Sequence, residues 1–136
     1  MLQIEVNYTA IIVSGILVFA LGGLWYSPIF FAKPWMSVVG KTEEEFKKEA
    51  KPTNYVIALL QGLISAYILA VFIAFAQAST LVGGAWVGFM CWFGFAGTTS
   101  FVHSLFALRP TKLWLIDTGY TLVSFILAGI ILAIWK

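Results

Sequence analysis

Two long stretches of this chain contain no charged side chain. One runs from Val6 to Ala32 and the other from Pro52 to Leu108, and neither contains Asp, Glu, Lys or Arg. An α-helix needs about 20 mostly apolar residues to cross the hydrocarbon of a bilayer. Charged residues make up about a quarter of a typical soluble domain, but only 10% of this chain. The pattern therefore predicts an integral membrane protein whose main partner is the lipid bilayer.

The apolar residues divide into four predicted spanning helices, at about 8–26, 54–78, 84–108 and 113–135. Pro28 ends the first helix, because proline lacks an N–H and disfavours helical geometry in the residue before it. The two connections between the last three helices are short, which predicts antiparallel hairpins. No linker divides the chain. We therefore expect residues 1–136 to form a single all-α, polytopic transmembrane domain.

Most of the charge lies in the loop at 29–53, between the first two helices. Thr42 and Glu45 have the spacing of a capping box, which predicts a short amphipathic helix ending near Ala50. Phe46 would anchor that helix to the membrane surface. Residues 29–36 mix aromatic side chains with Lys33, a combination suited to headgroup depth.

Lysine and arginine lie almost entirely on one side of the predicted membrane. Seven of them belong to the loops after the first and third helices: Lys33, Lys41, Lys47, Lys48, Lys51, Arg109 and Lys112. Lys136 is alone on the other side. Positive residues favour the cytoplasmic side of a membrane. The bias predicts that both charged loops are cytoplasmic and that both termini are outside.

The composition argues against several classes of function. A formal net charge of +2, with lysines mixed among glutamates, is too small to predict nucleic acid as a partner. Cys91 is the only cysteine and His103 the only histidine, so neither a disulfide nor a metal site is expected. No catalytic triad or phosphate-binding loop is recognisable. The sequence thus predicts no catalytic residue, no cofactor and no enzymatic activity.

Small residues recur at every fourth position of the second helix and again in the third. We call these the small-residue ridges, and their members are Ala58, Gly62, Ala66, Ala70, Ala74 and Ala78, followed by Gly84 and Gly88. Such ridges let another helix backbone approach closely. Two interpretations stay open at this point, namely packing within the chain and an interface between subunits.

Two ionisable side chains, His103 and Asp117, lie inside predicted spans. Because charged groups are costly in a bilayer, each is a candidate functional residue. A turn centred near residues 110–111 sets His103 level with Thr118, and so beside Asp117. The polar face is continued by three further side chains, Ser100, Tyr120 and Thr121.

The pair formed by His103 and Asp117 has two interpretations. It could be structural, because Asp117 lies near a helix start where the helix dipole favours an anion. It could instead be a proton or substrate site. In the second helix, Gln61 and Ser65 form another polar pair, which predicts a hydrogen bond between helices.

Two segments resemble a known family. They are LGGLWYSP at 21–28, continuing through Phe31, Lys33, Trp35-Met36 and Gly40, and LRP at 108–110 with LID at 115–117 and Gly119-Tyr120. They are similar to the opening and closing segments of a family of small bacterial membrane proteins known as a domain of unknown function. The resemblance implies four spans in a bacterial inner membrane and no established activity. The matching segments and the predicted topology place one cluster at the cytoplasmic helix ends: Trp25, Tyr26, Ser27, His103, Arg109 and Asp117.

Two functions from different classes are compatible with these patterns. The first is a non-enzymatic homo-oligomeric component of the membrane, or an accessory subunit of a larger complex. The alternative is a small proton- or cation-coupled transporter or channel that uses Asp117 and His103. Four helices enclose little room for a substrate path unless several chains assemble, so we favour the first.

Overall fold

The computed structural model describes residues 3–136, and helices are the only regular structure in that range. The elements are α1 (Tyr8–Trp25), α2 (Ala32–Val39), α3 (Glu43–Glu49), α4 (Pro52–Phe75), α5 (Leu81–Cys91), a π-helix (Trp92–Gly97), α6 (Thr98–Phe106) and α7 (Thr111–Ile134). The third span, Leu81–Phe106, combines α5, the π-helix and α6. Together with α1, α4 and α7 it gives four helices long and apolar enough to cross a membrane. The predicted all-α fold with four spanning helices is confirmed.

Local capping chemistry decides where the helices begin. Pro52 occupies the first turn of α4, where its missing N–H would have no helical partner in any case. This helix therefore starts before the predicted position 54. The Thr80 hydroxyl accepts a hydrogen bond from the N–H of Gly83 at 3.0 Å, so that α5 starts before the predicted position 84.

Two helices end through left-handed residues that are not glycine. Gln77 follows α4 with a φ of +52°, and Leu108 follows α6 with a φ of +57°. In both cases the next N–H donates back to a carbonyl in the last helical turn, which closes a Schellman motif. These stops end α4 at Phe75 and α6 at Phe106, before the predicted positions 78 and 108.

The loop between the first two spans contains two short helices, where we predicted one. Thr42 caps α3 by accepting the N–H of Glu45 at 3.2 Å, at the predicted place. The additional helix is α2, which contains Pro34. Proline is tolerated in a first turn, so Pro34 does not break α2. Phe46 of α3 packs edge-on against Trp35 of α2, with ring centroids 5.5 Å apart.

The helix α7 lies at the centre of the bundle. It contacts α1 and α4 on one side and the third span on the other, and it also touches α2. We name the two ends of the bundle by their contents. The charged end carries residues 26–51 and the turn at 107–110, whereas the opposite end carries residues 3–7, 76–80 and 135–136.

Candidate functional site

Asp117 of α7 joins three elements at the charged end. Its Oδ1 atom accepts a hydrogen bond from the Tyr26 hydroxyl at 2.6 Å and another from the Trp35 indole Nε1 at 3.2 Å. Tyr26 is the C-terminal cap of α1, and Trp35 belongs to α2. One carboxylate oxygen therefore connects the end of α1, α2 and α7.

Aromatic rings surround this carboxylate. The Tyr26 ring meets the Trp35 ring edge-on at 5.9 Å and the Tyr120 ring edge-on at 5.8 Å. Burial, followed by the hydrogen bond to Asp117, raises the pKa of Tyr26 well above its ordinary value. The Tyr26 hydroxyl consequently keeps its proton and remains a donor.

Four indole N–H groups have acceptors in the bundle, and α7 takes part in each bond. The bonds are Trp25 to the Ile116 carbonyl at 2.9 Å, Trp35 to Asp117 at 3.2 Å, Trp92 to Thr121 Oγ1 at 3.0 Å, and Trp114 to Ser100 Oγ at 3.0 Å. A polar group without a partner is costly in hydrocarbon, so these bonds fix how the neighbouring elements pack on α7. Sequence reasoning selected Ser100, Thr121 and Asp117 but missed three of their partners, Trp35, Trp92 and Trp114.

The structure does not join His103 to Asp117 by a hydrogen bond, although both line one cleft. The hairpin of α6 and α7 alone would set His103 beside Asp117. Asp117 also faces the end of α1, whose Tyr26 reaches the carboxylate first. Ser27, expected in the same cluster, donates its hydroxyl hydrogen bond locally to the Leu24 carbonyl. Tyr120 donates to the Val18 carbonyl of α1 at 2.8 Å.

The cleft opens between α6 and the first half of α7, at the charged end. It has a volume of about 390 Å³, which lies in the range of small-molecule sites. Its polar lining includes Ser100, His103, Arg109, Asp117 and Thr118. The cleft therefore brings one cation and one anion to the same space.

The small-residue ridges face helices of the same chain. Gly62, Ala66, Ala70 and Ala78 are buried, Ala74 is half-buried, and Ala58 is exposed. A Cβ atom on Gly62 would lie 3.3 Å from the Gly15 carbonyl of α1. Gly84 and Gly88 lie against the backbone of α7. The same-chain helices thus occupy the buried parts of both ridges.

A family model described as a protein of unknown function (DUF1761) matches residues 9–133. The chain belongs to the DUF1761 family. The match includes Asp117 and both of its hydrogen-bond partners, and it confirms the resemblance to an uncharacterised family. With its four apolar helices, this member is a membrane protein. Comparisons with curated proteins and with solved structures find no match.

The third span of this DUF1761 member contains a feature that sequence reasoning missed, the π-helix Trp92–Gly97. A Cβ atom on Gly97 would lie 2.9 Å from the Trp92 ring. The absence of a side chain at Gly97 therefore leaves space for the indole. Three successive hydroxyl side chains then donate back to carbonyls of the π-helix: Thr98, Thr99 and Ser100. Such segments are frequent at functional sites. The run of three hydroxyls after the glycines is the signal that could have revealed it.

The outward face of α4 carries a second polar feature. Its members recur with alternating steps of four and three residues, and we call them the α4 seam: Asn54, Ala58, Gln61, Ser65, Ile68 and Phe72. All are exposed except Ser65, which is half-buried. Gln61 Nε2 donates to Ser65 Oγ at 2.8 Å. This bond lies within α4, and a hydrogen bond from the pair to another helix stays a prediction.

Proposed function

We propose that this protein is a non-enzymatic component of the bacterial inner membrane that self-associates through the α4 seam. The observation that supports this is the exposed amide of Gln61. It lies about 4 Å from the midpoint of α4, at 1.5 Å per residue, which places it at hydrocarbon depth, where it also lines the small cavity between α4 and α7. Unpaired polar groups in hydrocarbon cost several kcal/mol each.

A second copy of the chain can satisfy this amide. Gln61 uses one donor on Ser65, which leaves its second N–H and its carbonyl oxygen for a partner. An amide contains both a donor and an acceptor, so two Gln61 side chains can bond to each other across a two-fold axis. The self-complementary chemistry favours a homodimer over an unrelated partner.

The spacing of the seam supports a helix pair. Alternating steps of four and three residues average 3.5, the repeat of left-handed helix pairs. Ala58 and Ser65 are small and lie on either side of Gln61, so they permit close approach. Within the chain, Phe72 packs against Phe95 of the π-helix, and Gln61 and Ser65 also line the small cavity beside α7. The exposed surfaces of Asn54, Ala58 and Ile68 are left for the second copy.

Replacing Gln61 should weaken this assembly. We expect Gln61→Leu to raise the dissociation constant of the dimer roughly tenfold, the effect of an interhelical hydrogen bond worth about 1–2 kcal/mol in membrane peptides. Dilution-dependent energy transfer between labelled chains in lipid vesicles measures this constant. The matched control is Tyr67→Leu, which removes a polar group from another exposed face of α4.

Two results would contradict the proposal. One is a wild-type chain that stays monomeric in vesicles at every lipid dilution. The other is equal association by the Gln61→Leu and Tyr67→Leu variants. Association only with a different membrane protein would replace the homodimer by the accessory-subunit alternative.

We also infer that the charged end faces the cytoplasm. Seven of the eight lysine and arginine residues lie at that end, and Lys136 lies at the other, a distribution that favours this orientation. In a Cys91→Ala background, an impermeant thiol reagent added to intact cells should label Lys136→Cys. It should label Lys47→Cys only after the membrane is permeabilised. Labelling in the reverse pattern would invert the topology.

A second candidate, the proton- or cation-coupled transporter that uses Asp117 and His103, is favoured by one observation. Three cavities follow α7 along its length. The cleft at Asp117 is followed by a cavity of about 30 Å³ beside Thr121 and Ser124, and then by an open one of about 360 Å³ beside Glu5. Polar groups thus occur at three depths of the bundle.

A further inference from the structure

The cleft between α6 and α7 holds two opposite charges that are not paired with each other. The ion pairs within residues 3–136 join Lys41 to Glu49 and Lys47 to Glu43. Arg109 and Asp117 therefore line the same cleft without forming a salt bridge. A carboxylate inside a spanning helix, such as that of Asp117, is costly unless it finds a partner. The cleft is thus suited to a ligand that carries both signs of charge.

Asp117 has one carboxylate oxygen available for such a ligand. Oδ1 accepts both protein hydrogen bonds, from Tyr26 and Trp35. No donor within residues 3–136 bonds to Oδ2. Asp117 is only half-buried and lines the cleft. A positively charged hydrogen-bond donor can therefore reach this residue without breaking its structural bonds.

The position of the cleft indicates where the ligand comes from. Asp117 lies about 9 Å along α7 from the first helical residue, at 1.5 Å per residue, and Arg109 lies in the turn beyond that residue. Arg109 therefore lies at the depth of lipid headgroups and Asp117 lies deeper in the span, so that a headgroup bound in the cleft extends inward from Arg109. Next to the cleft, the C-terminal end of the third span exposes Leu105 and Phe106. These two side chains give acyl chains an apolar surface.

We infer that this cleft binds the headgroup of a zwitterionic amino-phospholipid, with its phosphate at Arg109 and its ammonium group at Asp117. A guanidinium matches a phosphate through parallel hydrogen bonds. A primary ammonium has three N–H donors for a carboxylate. The Trp114 ring also lines the cleft, and aromatic faces attract cations. A choline headgroup has no N–H donor, and a glycerol headgroup has no positive charge.

Native mass spectrometry of the purified protein tests this inference. The probes are phosphatidylethanolamine, phosphatidylcholine and phosphatidylglycerol with identical acyl chains, together with soluble phosphoethanolamine. We expect phosphatidylethanolamine to be retained roughly tenfold better than the other two lipids, which corresponds to about 1.4 kcal/mol. Soluble phosphoethanolamine should bind far more weakly, because it lacks the acyl chains.

Two variants test the ammonium contact and the phosphate contact separately. Asp117→Asn keeps an oxygen for Tyr26 and Trp35 but removes the negative charge, so it should abolish the preference for ethanolamine over choline. Arg109→Gln should weaken retention of all three lipids by a similar factor. The control is Lys33→Gln, which removes a cation from the charged end outside the cleft and should change neither property.

Several outcomes would overturn the inference. Equal retention of the three lipids by the wild type would show that the cleft does not distinguish between headgroups. An unchanged ethanolamine preference in Asp117→Asn would remove the carboxylate from the site. Equal affinity for lipid and for soluble phosphoethanolamine would assign the cleft to a soluble ligand. A thermal unfolding curve for each variant verifies that the fold is retained.

Discussion

Gly88→Ala should separate α5 from α7 and lower the thermal stability of the protein. A Cβ atom at this position would overlap with the carbonyl oxygen of Phe125, and backbone atoms cannot rotate out of the way. Overpacking of a close-packed contact costs about 1–3 kcal/mol. Thermal unfolding in a mild detergent, followed by circular dichroism, measures the loss.

The matched control is Gly94→Ala in the same span. No atom lies within 4 Å of a Cβ atom built on Gly94, so this variant should unfold at the wild-type temperature or slightly above it. One turn from Gly88, α5 and α7 make a second close contact. A Cβ atom on Gly84 would overlap with the carbonyl oxygen of Gly129, and a Cβ atom on Gly129 would overlap with that of Gly84. Equal melting of Gly88→Ala and wild type would mean that α5 and α7 are not in backbone contact.

Asp117→Leu should destabilise the charged end more than any other single change in the cluster. It leaves the Tyr26 hydroxyl and the Trp35 indole N–H without an acceptor, and each orphaned buried group costs about 1–3 kcal/mol. We therefore expect a loss of about 2–6 kcal/mol for the pair. Thermal unfolding in detergent measures the total loss of stability.

Asp117→Asn is the matched comparison, because its amide oxygen can accept both hydrogen bonds. We expect a modest loss, since hydrogen bonds in membranes average about 0.6 kcal/mol in double-mutant cycles. If the leucine and asparagine variants lose equal stability, the two hydrogen bonds do not hold α2. Proton uptake by vesicles containing Asp117→Asn also separates the two candidate functions. Uptake that remains at the wild-type level would exclude the transporter that uses this carboxylate.

Three of the spanning helices could be predicted from sequence because they lie in runs without charge that are long enough to cross a bilayer. The fourth contains Lys112 and Asp117, and the apolar residues after Asp117 identify it. Helix ends were harder. Gln77 and Leu108 adopt left-handed conformations that usually indicate glycine, so the ends of α4 and α6 were placed too late. The helix α2 was missed because residues 29–36 were interpreted only as an interfacial segment of aromatic side chains around Lys33.

The site was predicted in part. Asp117 is the only acidic residue within the four spans, so its cost in a bilayer drew attention to it. Its partners could not be derived, because the periodicity of α7 does not reveal which of its faces meets α1. A search for acceptors for the indole N–H groups would have narrowed the choice. A buried indole N–H is seldom left without an acceptor. Trp35 is also close in sequence to Tyr26, the other donor to Asp117.

The π-helix changes which faces of the third span are turned towards α7. In an uninterrupted α-helix, at about 100° per residue, Ser104 would lie about 160° around the axis from Gly88, yet both residues are buried. The wider π turns reduce that angle to roughly 60°. The glycine face of α5 and the hydroxyl-bearing face of α6 are thereby both turned towards α7. One helix, α7, can therefore make both the close backbone contact with α5 and the polar cleft with α6.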